Sequence, residues 1–434
     1  MKSPFVSSPV LRRLITGLGV ILTLTFTVRA DVITDWNATL EATMRNPTPN
    51  PAVQARAAAI MHTAVFDAVN GITKKYTPLY FDESAPGGAR AEAAAAQAAY
   101  TTLVALFPAK QSLFDAQLTV SLAQIPGSEG NSQSIARGRA WGQSVAEAIL
   151  AWRANDGFSR VLTYTDSGAP GYWRHFPNAS GPAAALSMTV TTPFALSNPA
   201  AFDPGPPYGF SNRLTAMSTA AYTTDLNEVK ARGGAVSTAR TPAETDLALF
   251  INISDVTDIN ALVRRLISPK AKLVDNARTF ALLNIAGMDA TIVCFQSKYQ
   301  YGLWRPYQAI PFANEDGNNS TAADPTWVPL RPTPPHPEYL SGHALVISSM
   351  LAVAATTFGD QTPFVLTTSN PGAPAIAPEF TSFSELSAAI TEARINIGFH
   401  FRTACELGQA TAGAIVTEIL STTLVPRHGG GKAD

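Results

Sequence analysis

The chain has 434 residues, 46% of them hydrophobic and only 15% charged, which excludes a disordered chain and requires a large buried core. Its 31 Lys and Arg nearly balance 32 Asp and Glu, so no basic excess points to a nucleic-acid partner. Two cysteines exclude a disulfide scaffold and a Cys-rich zinc module.

Residues 1–30 read as a secretory signal peptide. Lys2, Arg12 and Arg13 precede an almost wholly apolar run from Leu14 to Val28, and Val28-Arg29-Ala30 offers small residues at the cleavage positions. The alternative is an uncleaved anchor, against which the run falls short of the roughly 20 residues of a span. Cleavage would leave 27 positive and 32 negative charges, a net of −5. No later segment reads as long enough to span a membrane, and Ala344 to Phe358 reads as a core helix. The mature protein is therefore expected to be soluble and exported, periplasmic or secreted, with no membrane span.

Strand alternation is almost absent, while helical punctuation recurs. Asn50-Pro51 supplies a cap and a first-turn proline, and Asn70-Gly71 is read as the stop of the same helix. Alanine-rich helices are predicted over 89–107, 110–124 and 131–155. Between 160 and 215 the texture changes to Gly, Pro, Ser and aromatics, a loop that either covers a site or connects helical layers. Helices resume at Thr241-Pro242 and run through 256–267 and 274–304, the last ended by Arg305-Pro306. A Pro-rich loop over 311–337 leads to helices over 342–358, 384–397 and 402–420. The predicted fold is all-α and bundle-like. Its parts are a signal peptide (1–30), an N-terminal helical part (31–160), the long loop (161–215), a C-terminal helical bundle (216–425) and a flexible tail (426–434).

Three segments carry candidate chemistry. Lys298 and Arg305 are seven residues apart in an aromatic stretch, which as one helix would put both cations on one face. A solvated helix face would look the same. His336-Pro337-Glu338-Tyr339-Leu340-Ser341-Gly342-His343 enters an apolar helix with Ser341 placed as its N-cap. Free backbone N–H groups and the helix dipole make an anion site there, and Gly342 allows close approach; a capped helix with incidental histidines is the plainer reading. Arg394 precedes Gly398 and His400, with Gly398 read as the helix break that lets His400 turn toward whatever Arg394 faces. A lone arginine there could equally pair with Glu392. Taken together, three cations, a serine-capped helix start and two histidines suit a tetrahedral oxyanion of two or three charges.

The order Lys-x6-Arg-Pro, Ser-Gly-His and Arg-x5-His resembles the vanadium-dependent haloperoxidase and type 2 phosphatidic acid phosphatase superfamily, most densely over 274–420. The stretch Asp31-Val32-Ile33-Thr34-Asp35-Trp36-Asn37 and the helix holding His62 are similar to exported bacterial members of the haloperoxidase-like branch. The resemblance implies that Lys298, Arg305, Ser341, Gly342 and Arg394 hold the oxygens of a vanadate cofactor, a site that phosphate also fits. It makes His343 the acid–base group and His400 the vanadium ligand, or the nucleophile in a phosphatase. His336 matches a second active-site histidine of algal bromoperoxidases, which points to bromide. The implied partners are hydrogen peroxide, halide and a small organic acceptor. Three positions depart from the pattern: Leu340 replaces a proline, Ala393 a serine, and Ala404 the aspartate that orients the last histidine, leaving Glu406 as the nearest downstream acid. The alternatives are a soluble acid phosphatase using the same cage, and a non-catalytic oxyanion binder.

The other histidines carry no site role at first reading: His62 reads as a packed core residue, His175 as a surface residue of the long loop with the lining of a substrate entrance as its alternative, and His428 as part of the tail. Cys294 and Cys405 are either two free buried thiols or a pair that export would permit to bridge.

Overall fold

The structure is a computed structural model that describes residues 31–45, 50–127, 132–174, 183–253, 256–368, 370 and 372–427. The expected signal peptide, His175 and His428 lie outside the described residues. Helix makes up 61% of the described residues and strand 3%, so the fold is all-α.

In chain order the helices are α1 (Val32–Arg45), α2 (Pro51–Thr73), α3 (Ala91–Leu106), α4 (Gln111–Ala123), α5 (Ser132–Arg153), α6 (Arg213–Met217) and α7 (Ala220–Arg232). There follow α8 (Pro242–Ile253), α9 (Val256–Leu266), α10 (Leu273–Tyr301), α11 (Pro306–Ala309), α12 (Gly342–Phe358), α13 (Phe383–Asn396) and α14 (Arg402–Thr422). One two-residue antiparallel pair, β1 (Phe364–Val365) with β2 (Glu379–Phe380), braces the α12–α13 connection.

Local chemistry explains most boundaries. The Asn50 side chain accepts from the Ala52 N–H and caps α2, with Pro51 in its first turn. Thr241 and Glu244 form a reciprocal capping box at α8, with the Thr241 N–H donating to Oε2 (2.8 Å) and the Glu244 N–H to Oγ1 (3.2 Å). Two expected ends move. Helix α2 continues past Asn70-Gly71 to Thr73, because the Asn70 side chain is spent on both backbone groups of Tyr76 and a left-handed Lys74 supplies the cap. Helix α10 stops at Tyr301 with Gly302 as its left-handed C-cap (φ 57°), not at Arg305-Pro306. Helices α1 and α7 were not anticipated. The spacing Ile33, Trp36, Leu40, Met44 forms the buried face of α1, and Asp31 caps it by accepting from Thr34 N–H. Thr219 caps α7.

Helix α10 is the axis of the molecule. It packs along α2 on one side and α12 on the other, with α9 and α14 beside it. Contrary to the sequence expectation, it is long and apolar enough to cross a membrane by length and composition. However, 89% of its apolar window is buried inside the fold. Midway along it, Asp289 accepts three consecutive N–H bonds from Phe194, Ala195 and Leu196 (2.7–2.9 Å), fastening the long loop to the core. Asp67 of α2 grips Leu79, Tyr80 and Phe81 in the same way. His62 is a core residue, bonded to Asn37 (2.9 Å) and stacked on Phe280.

Candidate active site

Lys298 sits in the last turn of α10, and the left-handed Gly302 then redirects the chain so that Arg305 is extended (φ −88°, ψ 162°) ahead of α11. The two cations therefore do not share a helix face, as the spacing suggested; the turn between them brings both inward, where neither is exposed. The Lys298 ammonium donates to the carbonyls of Pro337 (3.1 Å), Glu338 (2.8 Å) and Leu340. Arg305 Nε donates to the His336 carbonyl (2.6 Å), Nη1 to that of Phe399 (3.1 Å), and Nη2 lies 2.8 Å from His336 Nδ1. His336 is half-buried at the edge of this group, with Phe295 meeting its ring edge-on.

The laced segment ends at Ser341, the N-cap of α12. Its N–H donates to the Ala404 carbonyl (3.1 Å) of α14. The hydroxyl makes no capping bond. It is buried without a nitrogen or oxygen partner, beside the Cys405 thiol. Gly342 and His343 form the first turn of α12. The His343 ring bonds the backbone of Asn252 and borders a small apolar cavity lined by Ile251, Ile259, Ile347, Leu386 and Ile390.

Arg394, in the last turn of α13, is buried with one Nη bonded to Asn252 Oδ1 (2.9 Å) and its plane 4.9 Å from the Phe399 ring centre. Its Nε has no partner. Glu392 does not take it up, being paired with Arg232 and Arg402 instead. Gly398 follows with φ 80°, and a Cβ there would stand 2.4 Å from the Gly233 carbonyl oxygen. Only glycine fits this turn. It delivers His400, 2% exposed, between Arg305 and α14.

The residue that sequence reasoning left without a role is Glu338. Its Oε1 lies 2.8 Å from His400 Nδ1 and also accepts the Phe401 N–H (3.0 Å) at the start of α14. The acid facing His400 is thus Glu338, not one on α14: Ala404 has no carboxylate to offer and Glu406 points out toward Arg402. A signal existed, since Glu338 is the sole acid between Asp324 and Asp360 and lies inside the histidine motif.

Burial dominates the electrostatics. It holds Lys298 down at about 8, Arg394 at about 9 and Arg305 at about 10. Repulsion from Arg305 adds to the effect on Lys298 and Arg394. Burial raises Glu338 to about 7 against the pull of Lys298 and Arg305. His336, His343 and His400 are all pushed well below the usual histidine range by burial and by the same three cations. All three imidazoles are therefore neutral near pH 7. His343 feels Arg394 most among the cations, whereas His400 feels Arg305 and Lys298 more. Three buried cations with one carboxylate among them form a cluster short of negative charge, which is costly unless an anion completes it. Among the described residues no group of three or more His, Cys, Asp or Glu could hold a bare metal ion. The Ser341 hydroxyl, bonded to no nitrogen or oxygen, and the unpartnered Arg394 Nε, with the N-terminus of α12, fit an oxyanion.

Described parts of the long loop are bonded to this shell. Trp173 N–H donates to the Gly302 carbonyl (2.7 Å), Trp304 N–H to that of Gly171 (3.0 Å), and Tyr339 OH to that of Gly205 (3.0 Å). Behind it, Cys294 and Cys405 are both buried and free.

Residues 278–425 match the family described as the VCPO second helical-bundle domain. Over 162 residues, 30% of this chain, the sequence is 30% identical to vanadium chloroperoxidase of Curvularia inaequalis, and the match spans only 26% of that relative. The whole fold resembles a bacterial vanadium-dependent iodoperoxidase, with a TM-score of 0.76 and 21% identity over 92% of this chain and 98% of the other. It also resembles a bacterial vanadium-dependent chloroperoxidase in its apo form, with a TM-score of 0.63 and 15% identity over 85% and 93% of the two chains. The holo form matches at the same TM-score, over 86% of this chain and 92% of that one. Residues 278–425 thus match a vanadium haloperoxidase-type helical-bundle domain, and the fold of the chain is the one seen in the bacterial vanadium-dependent haloperoxidases.

Proposed function

We propose that the cluster binds vanadate and that the loaded protein oxidises halide, bromide first, with hydrogen peroxide, passing the oxidised halogen to a small organic acceptor. The observation that carries the reading is the grouping of Lys298, Arg305 and Arg394, all buried, around a helix start whose Ser341 hydroxyl has no nitrogen or oxygen partner, with Arg394 Nε also unpartnered. Vanadate, when bound, supplies Lewis acidity that polarises peroxide for attack by halide. The chain supplies the rest. Lys298, Arg305 and Arg394 offset the oxyanion's charge, and Ser341 and the Gly342 N–H orient its oxygens. His400, neutral, presents a ring nitrogen as ligand. His343, also neutral, is available to take and return a proton. His336 at the rim, bonded to Arg305, is the feature behind the preference for bromide. We further propose that residues 1–30 direct export.

The test is peroxide-dependent bromination of a phenolic dye by vanadate-loaded protein across a broad pH range, with iodide and chloride in parallel and His343→Ala as control. Activity that needs vanadate and falls in the control supports the reading; its absence with all three halides removes it.

One observation favours a second reading. Glu338 supplies the acid beside His400 whose loss at Ala404 argues against a histidine-nucleophile phosphatase. Turnover of an aryl phosphate without added metal, inhibited competitively by vanadate, would place that reading first. Tight oxyanion binding with neither activity would leave a binding protein.

A further inference from the structure

We propose that Glu338 is the positioning residue that holds His400 with its proton on Nδ1 and its Nε2 lone pair free for the oxyanion, doing from a loop what α14 leaves undone at Ala404. The inference rests on the oxyanion reading and names the residue on which its ligand histidine depends.

Four observations carry it. Glu338 Oε1 is 2.8 Å from His400 Nδ1, in a place where neither side chain meets solvent appreciably. The same oxygen accepts the Phe401 N–H (3.0 Å), a backbone donor that fixes its position independently of the imidazole. Whenever the Glu338 carboxyl is ionised it only accepts, and a neutral His400 bonded to it then carries its proton on Nδ1. The Glu338 backbone is pinned at both ends, its N–H donating to the Leu303 carbonyl (2.9 Å) and its own carbonyl accepting from Lys298 (2.8 Å). A carboxylate present only to balance charge would face a cation. Instead, Lys298 takes the Glu338 carbonyl, and the carboxylate is turned to His400 and the start of α14. One residue thus links the last turn of α10 to His400, so the lysine and the ligand histidine are placed together.

The test uses the full chain labelled with ¹⁵N, comparing wild type, Glu338→Ala and Glu338→Gln, with His400 assigned from His400→Gln. Long-range ¹H–¹⁵N spectra without vanadate report the His400 tautomer, and calorimetric titration with orthovanadate reports affinity. In wild type, His400 is the Nδ1–H tautomer with a downfield proton. Glu338→Gln keeps that tautomer, because an amide oxygen also accepts, but shifts the proton upfield. Glu338→Ala loses the single tautomer and weakens vanadate binding about 10- to 100-fold, the usual effect of removing a partner that orients a ligand histidine. An unchanged tautomer in Glu338→Ala, or an affinity within about twofold of wild type, would overturn the proposal. Should Glu338→Ala not fold, the isosteric Glu338→Gln decides, and an unshifted Nδ1 proton would overturn it. A wild-type protein that shows the tautomer response but binds no vanadate would sink the oxyanion reading and leave the Glu338–His400 coupling standing.

Discussion

At the scale of single residues, the three cations are not equivalent. Arg394 keeps unpaired N–H capacity toward the cluster, whereas all three Lys298 donors are committed to the Pro337–Leu340 backbone. Arg394→Met is therefore expected to weaken orthovanadate binding by about 2–5 kcal/mol with little loss of stability, as measured by calorimetry and urea unfolding. Lys298→Met is expected to lower both. It leaves three buried carbonyls short of a donor, which costs unfolding free energy of about 1–3 kcal/mol for each group left unsatisfied. Equal stability losses in the two variants would contradict this division of labour. The spacing of Lys298, Arg305, Ser341, Arg394 and His400 was legible because their patterns are local. Glu338 was not, because its meaning lies in a partner 62 positions away. The lacing of Lys298 was hidden for the same reason: nothing in a lysine's neighbours says that it will be spent on carbonyls.

At the scale of elements, buried polar side chains on helices hold the long connections in place. Asp289 on α10 satisfies three loop N–H groups at once, so Asp289→Asn replaces one accepting oxygen by a donor facing a donor. A loss of about 1–3 kcal/mol in urea unfolding is expected. His62 on α2 gives a pH signature. Burial holds it at about 3 against an ordinary value of 6.5, so the unfolded chain binds the proton that the folded chain refuses. Its contribution to stability is complete above pH 6.5 and is lost as pH falls toward 3, at up to about 1.4 kcal/mol per pH unit. Asp67 and Asp289, raised by burial to about 6, act with the opposite sign between their unfolded value of 3.8 and 6, so the difference between wild type and His62→Gln is the quantity to read. That difference should slope by close to one proton between pH 6 and 4; parallel curves would place His62 in a different state. The start of α8 was legible from Thr241-Pro242, and the bounds of α12 and α13 from their apolar runs to within a residue. The end of α10 was misread because Arg305-Pro306 looks like a stop, while Gly302, three residues earlier, reaches the left-handed conformation at no steric cost. Helix α1 was not legible although its buried face recurs at helical spacing, because the apolar run of Leu14 to Val28 just before it masks where the amphipathic pattern begins.

At the scale of the whole molecule, the last described residues close onto the segment that follows α2 and onto α10. The Thr77 N–H donates to the Val425 carbonyl (2.8 Å), the Arg427 N–H to that of Lys75 (3.0 Å), and Arg278 of α10 to that of Leu424 (2.8 Å). Across the middle, Asn260 of α9 and Asn284 of α10 exchange side-chain bonds, and Asn37 reaches from α1 to His62. An all-α chain was legible from composition and punctuation. This closure was not, since it joins segments with no shared pattern. The same enclosure bears on the two thiols behind the cation cluster. Cys294 and Cys405 are buried, and burial raises both, Cys405 to about 12, so each stays a thiol at any working pH. Thiolate is the reactive form. A protein that releases hypohalous acid would therefore age from the outside in. Peptide mapping after prolonged turnover should find halogen first on exposed rings such as Tyr80, 46% exposed, while both cysteines still react with alkylating agent once the protein is unfolded. Early loss of the two thiols would mean that the oxidant escapes inward through the wall of its own site.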